Sequence, residues 1–541
     1  MKPAKAQALI VAVQKNNNQI APIHLIKPNV YGGIFLLKKR FLKNALLLTI
    51  TGLFLRFIGV FFRVWLSRIL GAEGMGLYQL VISVYVLASA FAAGGLTTAV
   101  TRQVADRLCV NDVKGAKRAV FVSVILTLFI AALTTLFIWI FSEQIALFAL
   151  KDLRAKPALK TLCLGLPFMG IASCFKGYFL ARRKAESPSV ALVLEQIVRI
   201  GLIFIFLSNN QGFSLSRACA AVLLCDGISE GASCLYLCVG FFIDKRRLKG
   251  GGKPIKFMAL IKENLHISLP ITAGKYLSTF LRTVENLLVP QNLAKYTASY
   301  KQSLEQFGMI KGMALPILFF PASLLNSITT LLIPEVSQAR AIGNHKTVKK
   351  AVIKSLKITL YSSFLLGGIF LFNAQKLGVI IYKSEEVGFL IRALAPLVPI
   401  MYLDSMADGL LKGLDLQKAT LTHSFIDSIL RIVLILAFVQ FFGMLAFLCI
   451  MYLSNCLTCF LNLKKLLKCT SVRLHFKTTV ALPLVFACIS LVFSHLLLNV
   501  FCGLSPVFYL VIFTCVSSLV YFLLLFCAKL VTKRHILESL R

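Results

Sequence analysis

The chain has 541 residues, of which 58% are hydrophobic, a mean hydropathy of +0.82 and a formal net charge of +38 at pH 7. A soluble domain holds about 45–50% apolar residues even with glycine counted, and stretches of about 20 apolar residues recur here from Asn44 onward, so a soluble fold is excluded. The Lys and Arg residues lie mainly in short connections between these stretches. This pattern indicates membrane topology, and it argues against nucleic-acid binding as the reason for the charge.

The apolar stretches predict an all-α polytopic membrane protein with about fourteen transmembrane helices, each long enough for a hydrocarbon core about 30 Å thick. Residues 1–43 form a basic cytoplasmic arm, because their apolar pieces are too short for a signal peptide. In chain order the predicted helices span residues 44–70, 76–100, 118–142, 158–181, 187–208, 216–243, 264–289, 307–333, 351–373, 388–412, 419–441, 443–463, 477–499 and 506–529.

The charges of the connections predict the orientation. Basic clusters follow every second helix, as at residues 182–184 and 245–247, whereas residues 71–75 and 500–505 contain no Lys or Arg. Basic residues mark the cytoplasmic side of a membrane protein. We therefore expect a multi-pass protein of the cytoplasmic membrane with both termini in the cytoplasm.

An internal repeat divides the chain. A shift of 232 positions places the Lys114 to Val120 region on the Lys346 to Val352 region, and the same shift places Glu195 on Asp427. The predicted organisation is a six-helix lobe (44–243), a cytoplasmic linker (244–263), a second six-helix lobe (264–468), and two final helices with a cytoplasmic tail (469–541). Both lobes begin on the same side, so they are parallel repeats of the kind that rock about a central cavity.

Several stretches resemble a known family. The most specific are "GAEGMGLYQL" at residues 71–80 and "LEQIVRI" at residues 194–200, within a similarity from residue 43 to about residue 530. The chain is similar to the polysaccharide-transporter branch of the MOP (MATE-like) flippase superfamily, which is related to the lipid II flippases. The resemblance implies two lobes around a central cavity, two further helices that can hold a lipid tail, and an undecaprenyl-pyrophosphate-linked saccharide as the substrate. In sporulation this substrate would be a peptidoglycan precursor for the spore cortex.

Three arginines within predicted helices are candidate ligands for the pyrophosphate. Arg56 and Arg63 lie nearly on one face of the first helix, about 10 Å apart along its axis. An arginine inside a membrane usually faces a cavity, and guanidinium binds phosphate through two hydrogen bonds. The alternative is a structural pair with a buried carboxylate. Arg282 is the candidate in the second lobe, where Glu285, three residues on, is an alternative partner for it.

Carboxylates within the predicted helices suggest two further roles. Four-residue spacing predicts two equivalent ion pairs, Glu195 with Arg199 and Asp427 with Arg431, each stabilising its own lobe, unless the arginines serve as extra phosphate ligands. The same spacing places two acids on one helix face twice, so that they could bind a proton or a coupling cation unless each pairs with a base on another helix. These candidates for ion coupling are Asp226 with Glu230 and Asp404 with Asp408.

No pattern predicts a cofactor, a metal site or an enzyme. The single CxxC, Cys456 and Cys459, lies inside a predicted helix without a second pair, and the chain contains no GxxxxGK[ST] motif. The expected partners are the lipid-linked saccharide and membrane lipids, and the expected transporter is a monomer. Three alternatives stay open: a cation-coupled multidrug antiporter, a flippase for another lipid-linked polysaccharide unit, and a glycan polymerase or ligase.

Overall fold

The computed structural model describes residues 28–208, 214–248, 250–252, 257–500 and 505–530. Residues 1–27 of the predicted arm therefore lie outside the described residues. Over the described ranges the chain is helical and contains no β-strand. This confirms the predicted all-α class.

Among the described residues, seven α-helices of nine or more residues precede the linker and ten follow it. Those of the first group are α1 (Pro28–Ala93), α2 (Leu96–Cys109), α3 (Val113–Ile140), α4 (Ala155–Cys163), α5 (Leu166–Ala181), α6 (Glu186–Ser208) and α7 (Leu215–Arg247). Those of the second group are α8 (Phe257–Thr297), α9 (Tyr300–Gly308), α10 (Leu315–Ala341), α11 (His345–Leu377), α12 (Glu385–Leu394), α13 (Val398–Gly413), α14 (Gln417–Leu434), α15 (Gln440–Thr470), α16 (Leu482–Asn499) and α17 (Pro506–Cys527). Short π-helical turns extend several of them, as at Met309–Ala314 and Gly378–Tyr382.

Within the described ranges, eleven helical segments are long and apolar enough to cross a membrane. The two longest, Thr49–Cys109 and Gln417–Thr470, each cover all or most of two predicted helices. The chain turns inside them at Gly71 (φ 68°) and Gly443 (φ 58°), which are backbone conformations that favour glycine. The predicted breaks after residues 70 and 441 therefore fall within two residues of these bends. The chain is a multi-pass membrane protein.

Helix α7 continues to Arg247 and α8 begins at Phe257, so both ends of the predicted linker, residues 244–263, are helical. The described part of the linker is held by the first two turns of α3. The Lys117 ammonium donates to the backbone oxygen of Leu248 (2.9 Å), and the Val113 amide donates to that of Gly251 (3.1 Å).

The internal repeat is visible in the backbone. Helices α5 and α13 begin and end at residues that are 232 positions apart. The N-caps of α3 and α11, Asp112 and Asn344, are related by the same shift, and their φ and ψ agree within 1° (−83°, 75° and −82°, 75°). Left-handed residues recur at the same shift, in the pairs Asn111 and Gly343, Lys151 and Lys383, and Arg183 and Asp415. The sequence repeat is therefore a structural repeat.

The described residues group into two compact units. The first contains the described residues up to Leu55 with the described residues of Tyr85–Ile145 and Lys156–Leu277, and its core packs around Val100, Tyr178 and Phe241. The second contains Arg56–Val84, Ala146–Ala155 and the described residues from Ser278 onward. Its cores are centred on Leu410 and Leu466 and on Tyr361, Phe513 and Tyr521. The predicted lobe boundaries stay a prediction.

Candidate functional site

The first candidate site is the face of α1 that carries Arg56 and Arg63. Both side chains are exposed, and neither makes an ion pair with a carboxylate in the part of the chain that the structure describes. Arg56 Nη1 lies 3.4 Å from the backbone oxygen of Ser323 in α10. At the same crossing the rings of Phe57 and Phe320 are 5.8 Å apart. Helices α1 and α10 thus meet beside Arg56 within the second unit.

Arg63 follows two helical turns later on α1, about 10 Å along the axis. It is close enough to Tyr382 to interact with it electrostatically, and the Tyr382 hydroxyl donates to the backbone oxygen of Met313 (3.0 Å). No described carboxylate compensates the charge of Arg56 or Arg63 at ion-pair distance. Two uncompensated guanidinium groups on one side of an apolar helix are suited to bind an anion.

Arg282, the candidate in the second half, has an exposed side chain on α8. It interacts electrostatically with Glu285 and Lys311. However, the ion pairs of Glu285 are formed with Lys311 (3.6 Å) and Arg431 (3.3 Å), and no described carboxylate lies within 4 Å of Arg282. In the structure, Glu285 therefore does not form an ion pair with Arg282.

A buried charge cluster in the second unit surrounds Arg431. Its guanidinium lies 3.1 Å from Asp427, one turn earlier on α14, and 3.3 Å from Glu285 on α8. The Ser454 hydroxyl of α15 accepts a hydrogen bond from Arg431 and donates one to Asp427. Lys311 approaches the same Glu285 from the π-helical turn Met309–Ala314. The ion pair predicted from the spacing, Asp427 with Arg431, is thus part of a larger network that joins three helices and this turn.

The corresponding cluster in the first unit surrounds Arg199 on α6. Its guanidinium lies 3.0 Å from Glu195 and 2.7 Å from Asp226 on α7. Lys176 of α5 lies 3.9 Å from Glu195. The Tyr85 hydroxyl of α1 donates to Glu230, which lies one turn after Asp226.

The two clusters differ in charge. Around Arg199 two bases face three carboxylates, namely Glu195, Asp226 and Glu230. Around Arg431 two bases face the two carboxylates Glu285 and Asp427, and the neighbouring Arg282 and Asp404 each interact electrostatically with members of the cluster. The first cluster therefore has an excess of acid, whereas acids and bases are equal in number in the second.

The four acids considered for ion coupling each have a different partner. Asp226 pairs with Arg199, and Glu230 accepts from Tyr85, while one oxygen of Glu230 has no hydrogen-bond partner among the described residues. The remaining two belong to α13. Asp404 accepts from the Asn462 amide (2.8 Å), and Asp408 pairs with Lys412 one turn later (2.5 Å).

The sequence did not predict that Lys176, Lys311, Tyr85 and Ser454 belong to these clusters. Lys176 and Lys311 carry a signal, since each is a lone lysine inside an apolar stretch, and such a residue is usually paired. Tyr85 and Ser454 carry none, because a hydroxyl in a membrane helix usually bonds to its own backbone.

The CxxC motif contains an exposed Cys456 and a buried Cys459. Among the described residues, no group of three or more His, Cys, Asp or Glu side chains lies close enough together to hold a metal ion.

Comparison with solved structures gives the class of the fold. The lipid II flippase MurJ in an inward closed conformation matches with a TM-score of 0.68 at 15% identity, over 88% of this chain and 98% of that chain. An inward-facing multidrug resistance MATE family transporter of the MOP superfamily matches with a TM-score of 0.61 at 16% identity, over 78% of this chain and 98% of that one. At these identities the likeness concerns the fold, which is that of the MOP superfamily transporters.

The sequence comparisons give the family. The profile of the polysaccharide biosynthesis protein family matches residues 41–340, and the chain belongs to that family. Stage V sporulation protein B of Bacillus subtilis (strain 168) is 25% identical over 73% of this chain and 77% of its own length. Sporulation protein YkvU of the same organism is 26% identical over 59% of this chain and 71% of its own length. The resemblance stated from the sequence is confirmed, and none of these relatives is named for an enzymatic activity.

Proposed function

We propose that this protein is a flippase that moves an undecaprenyl-pyrophosphate-linked saccharide across the cytoplasmic membrane by alternating access. The proposed cargo is a peptidoglycan precursor, used for the spore cortex. The transporter acts as a monomer with both termini in the cytoplasm. The observation that carries the proposal is the pair Arg56 and Arg63, two exposed guanidinium groups on one apolar helix of a transporter fold, with no carboxylate of the described residues at ion-pair distance.

The chemistry of the cargo requires such a pair. A diphosphate crossing hydrocarbon needs cations in place of its hydration shell, and guanidinium offers two parallel hydrogen bonds to each phosphate. An arginine in the middle of a membrane helix costs about 2.5–3.5 kcal/mol on insertion scales, which selection tolerates at functional positions. Two arginines about 10 Å apart can bind the diphosphate one after the other as it crosses the membrane. Arg282 is proposed as a further ligand from α8.

The lipid tail needs no polar contact and stays in the bilayer, where α16 and α17 offer an apolar surface. Large exposed hydrophobic side chains follow both helices, for example Phe493 and Leu496 on α16 and Phe508 and Leu519 on α17. Such a surface suits acyl and polyprenyl chains. The lobes predicted from the repeat, residues 44–243 and 264–468, would rock while the tail remains in lipid.

The acid-rich cluster of the first unit supports a proposal about energy coupling. Glu230 is buried, and one of its oxygens has no hydrogen-bond partner among the described residues, so protonation or a bound cation would satisfy it. We assign coupling to Glu230 with Asp226 ahead of Asp404 and Asp408, because Asn462 and Lys412 already engage the latter two. Glu230→Gln should make flipping independent of the ion gradient, while Asp408→Asn should leave the dependence in place.

The same acid excess favours a second candidate function, a cation-coupled multidrug antiporter. The experiment that decides is reconstitution of the purified protein into liposomes with fluorescent lipid II in one set and a cationic dye in another. Appearance of lipid II in the opposite leaflet, measured by accessibility to a membrane-impermeant quencher, is the expected result. Dye transport without lipid transport would contradict the proposal. A third set with a different lipid-linked saccharide separates peptidoglycan precursors from other polysaccharide units.

A further inference from the structure

Three helix ends of the second unit carry polar side chains at the end of the molecule that the charge pattern assigns to the outside. Lys376 lies in the last turn of α11, His495 lies near the end of α16, and Tyr509 lies in the first turn of α17. Helices α16 and α17 follow both copies of the repeat, and the position equivalent to Lys376 in the first copy is Gln144. The repeat therefore does not account for this group of residues.

The polar side chains contact one another in a row. The Lys376 ammonium lies 2.9 Å from the centroid of the Tyr509 ring, which is a cation–π contact. The Tyr509 hydroxyl lies 3.1 Å from His495 Nδ1, and His495 Nε2 lies 3.3 Å from the amide nitrogen of Asn499. These four residues are called the Lys376 site below.

The hydrogen bonds of His495 determine which donors stay available. The Asn499 amide nitrogen can only donate, so His495 Nε2 accepts from it. A neutral His495 then carries its proton on Nδ1 and donates it to the Tyr509 oxygen. The Tyr509 hydroxyl hydrogen, the second amide hydrogen of Asn499 and the Lys376 ammonium can therefore all donate to a further molecule.

The positive charge of the Lys376 site is accessible. The side chains of Lys376, His495 and Asn499 are exposed, and no carboxylate of the described residues lies within 4 Å of Lys376. A lysine that only reaches for water extends away from the helices, whereas the Lys376 ammonium is held over the ring of the buried Tyr509. Exposed donors around an uncompensated cation are suited to bind an anion.

An apolar surface lies directly beneath the Lys376 site, one helical turn further into the membrane. Phe372 precedes Lys376 by four residues on α11, is 42% exposed, and has its ring centroid 5.9 Å from that of His495. Val492 precedes His495 by three residues on α16 and is 46% exposed. A polar layer above an apolar one matches a molecule that has an anionic head and apolar chains, whereas a free anion would use only the upper layer.

We propose that the Lys376 site binds the phosphate of an anionic phospholipid, such as phosphatidylglycerol, from the outer leaflet. Lys376 supplies the charge, Tyr509 and Asn499 donate hydrogen bonds to the phosphate oxygens, and the acyl chains lie against Phe372 and Val492. His495 is a positioning residue, because it holds Tyr509 and Asn499 in place. The site does not include the arginines of α1, and its test requires no transport.

The test measures the preference of this surface for phosphatidylglycerol over phosphatidylcholine in liposomes that contain the full-length protein. The reporter is Val492→Trp, in a background in which Phe replaces the two native tryptophans, and lipids with brominated chains quench it when they lie against position 492. The ratio of the two binding constants should be about 10. Lys376→Met should lower the ratio to about 1, whereas Lys376→Arg should keep it within about twofold, because the charge remains.

Tyr509→Phe separates the hydroxyl from the ring. The ring beneath Lys376 stays in place, but one donor to the phosphate is lost, so the ratio should fall to about 3. Lys160→Met is the matched control, because the Lys160 ammonium also lies over an aromatic ring, that of residue 139 (5.1 Å). It should keep the ratio of about 10.

Three results would overturn the proposal. The first is a ratio that Lys376→Met leaves unchanged. The second is an equal preference at a reporter elsewhere, Leu133→Trp on α3, whose native side chain is 59% exposed, because the attraction would then be general. The third is a preference abolished by inorganic phosphate but not by sodium chloride of equal ionic strength, which would show a site for free phosphate. Persistence of the preference in inorganic phosphate supports the lipid as the ligand.

Discussion

The buried cluster around Arg199 gives the sharpest test of how the first unit is held together. Arg199 contacts Glu195 (3.0 Å) and Asp226 (2.7 Å), and the three side chains are at most 23% exposed. Arg199→Met leaves two carboxylates without this partner, and breaking a buried pair costs about 3–5 kcal/mol. Glu195→Gln leaves the contact between Arg199 and Asp226 in place, so it should cost only about 1 kcal/mol.

The charge swap distinguishes an isolated pair from a network. If Glu195 and Arg199 formed a pair of their own, the double change Glu195→Arg with Arg199→Glu would restore much of the lost stability. In the network, the swap places a carboxylate beside Asp226 and a guanidinium beside Lys176, which lies 3.9 Å from Glu195. Two like-charge contacts replace two favourable ones, so the swapped protein should be less stable than Glu195→Gln.

The assay is the midpoint of thermal denaturation in detergent, followed by the loss of the monodisperse peak in size-exclusion chromatography. The expected order of stability is wild type, Glu195→Gln, and then Arg199→Met together with the swapped protein. Wild-type stability of Arg199→Met would refute the reasoning, because the cluster would then not stabilise the first unit. Full recovery by the swap would show that Asp226 and Lys176 contribute little.

Three further predictions concern single features of the chain. Arg63→Glu should abolish lipid flipping in proteoliposomes while the protein still inserts, and Arg63→Lys should retain part of it, because a point charge remains without the bidentate fork. In a background without other cysteines, Gly251→Cys should react with a membrane-impermeant maleimide only from the cytoplasmic side and Glu143→Cys only from outside; outside labelling of the former would reverse the topology. The equivalent N-cap substitutions Asp112→Ala and Asn344→Ala should each lower stability by about 0.5–2 kcal/mol in thermal denaturation, and a loss at only one position would contradict their equivalence.

Hydropathy and the repeat predicted most of the fold. A transmembrane helix is recognised from its own apolar composition, so these helices can be predicted without knowing which helices pack against them. The two places where the chain turns inside a long helical segment, Gly71 and Gly443, lie within two residues of the ends of predicted helices. The ends of α8 differ from the predicted ones because Lys262 and Glu263 lie in its second turn and Lys295 in its last turn, and a hydropathy window stops at such residues.

For the candidate site, the sequence predicts contacts between residues of the same helix but not contacts between different helices. Four-residue spacing places Glu195 beside Arg199, and the side chains do meet. Their further partners lie on other helices, and no local pattern indicates which of the remaining helices packs against α6 or α14. Asp226 and Glu285 were therefore assigned to other roles in the sequence analysis. The hydrogen bond from the Tyr85 hydroxyl could not be predicted, because a neutral side chain gives no electrostatic reason to expect it beside a carboxylate.

The measurement that tests the central claim most directly compares wild type with the Arg56→Ala, Arg63→Ala double variant in proteoliposomes. The quantity is the initial rate at which fluorescent lipid II becomes accessible in the opposite leaflet, with Arg118→Ala as a control for loss of an exposed arginine elsewhere. Each charge-assisted phosphate contact is worth about 1.5–3 kcal/mol, so the double variant should flip at least about 100-fold more slowly, while Arg118→Ala keeps the wild-type rate. A wild-type rate in a folded double variant would contradict the account, because the diphosphate would then cross without these two residues.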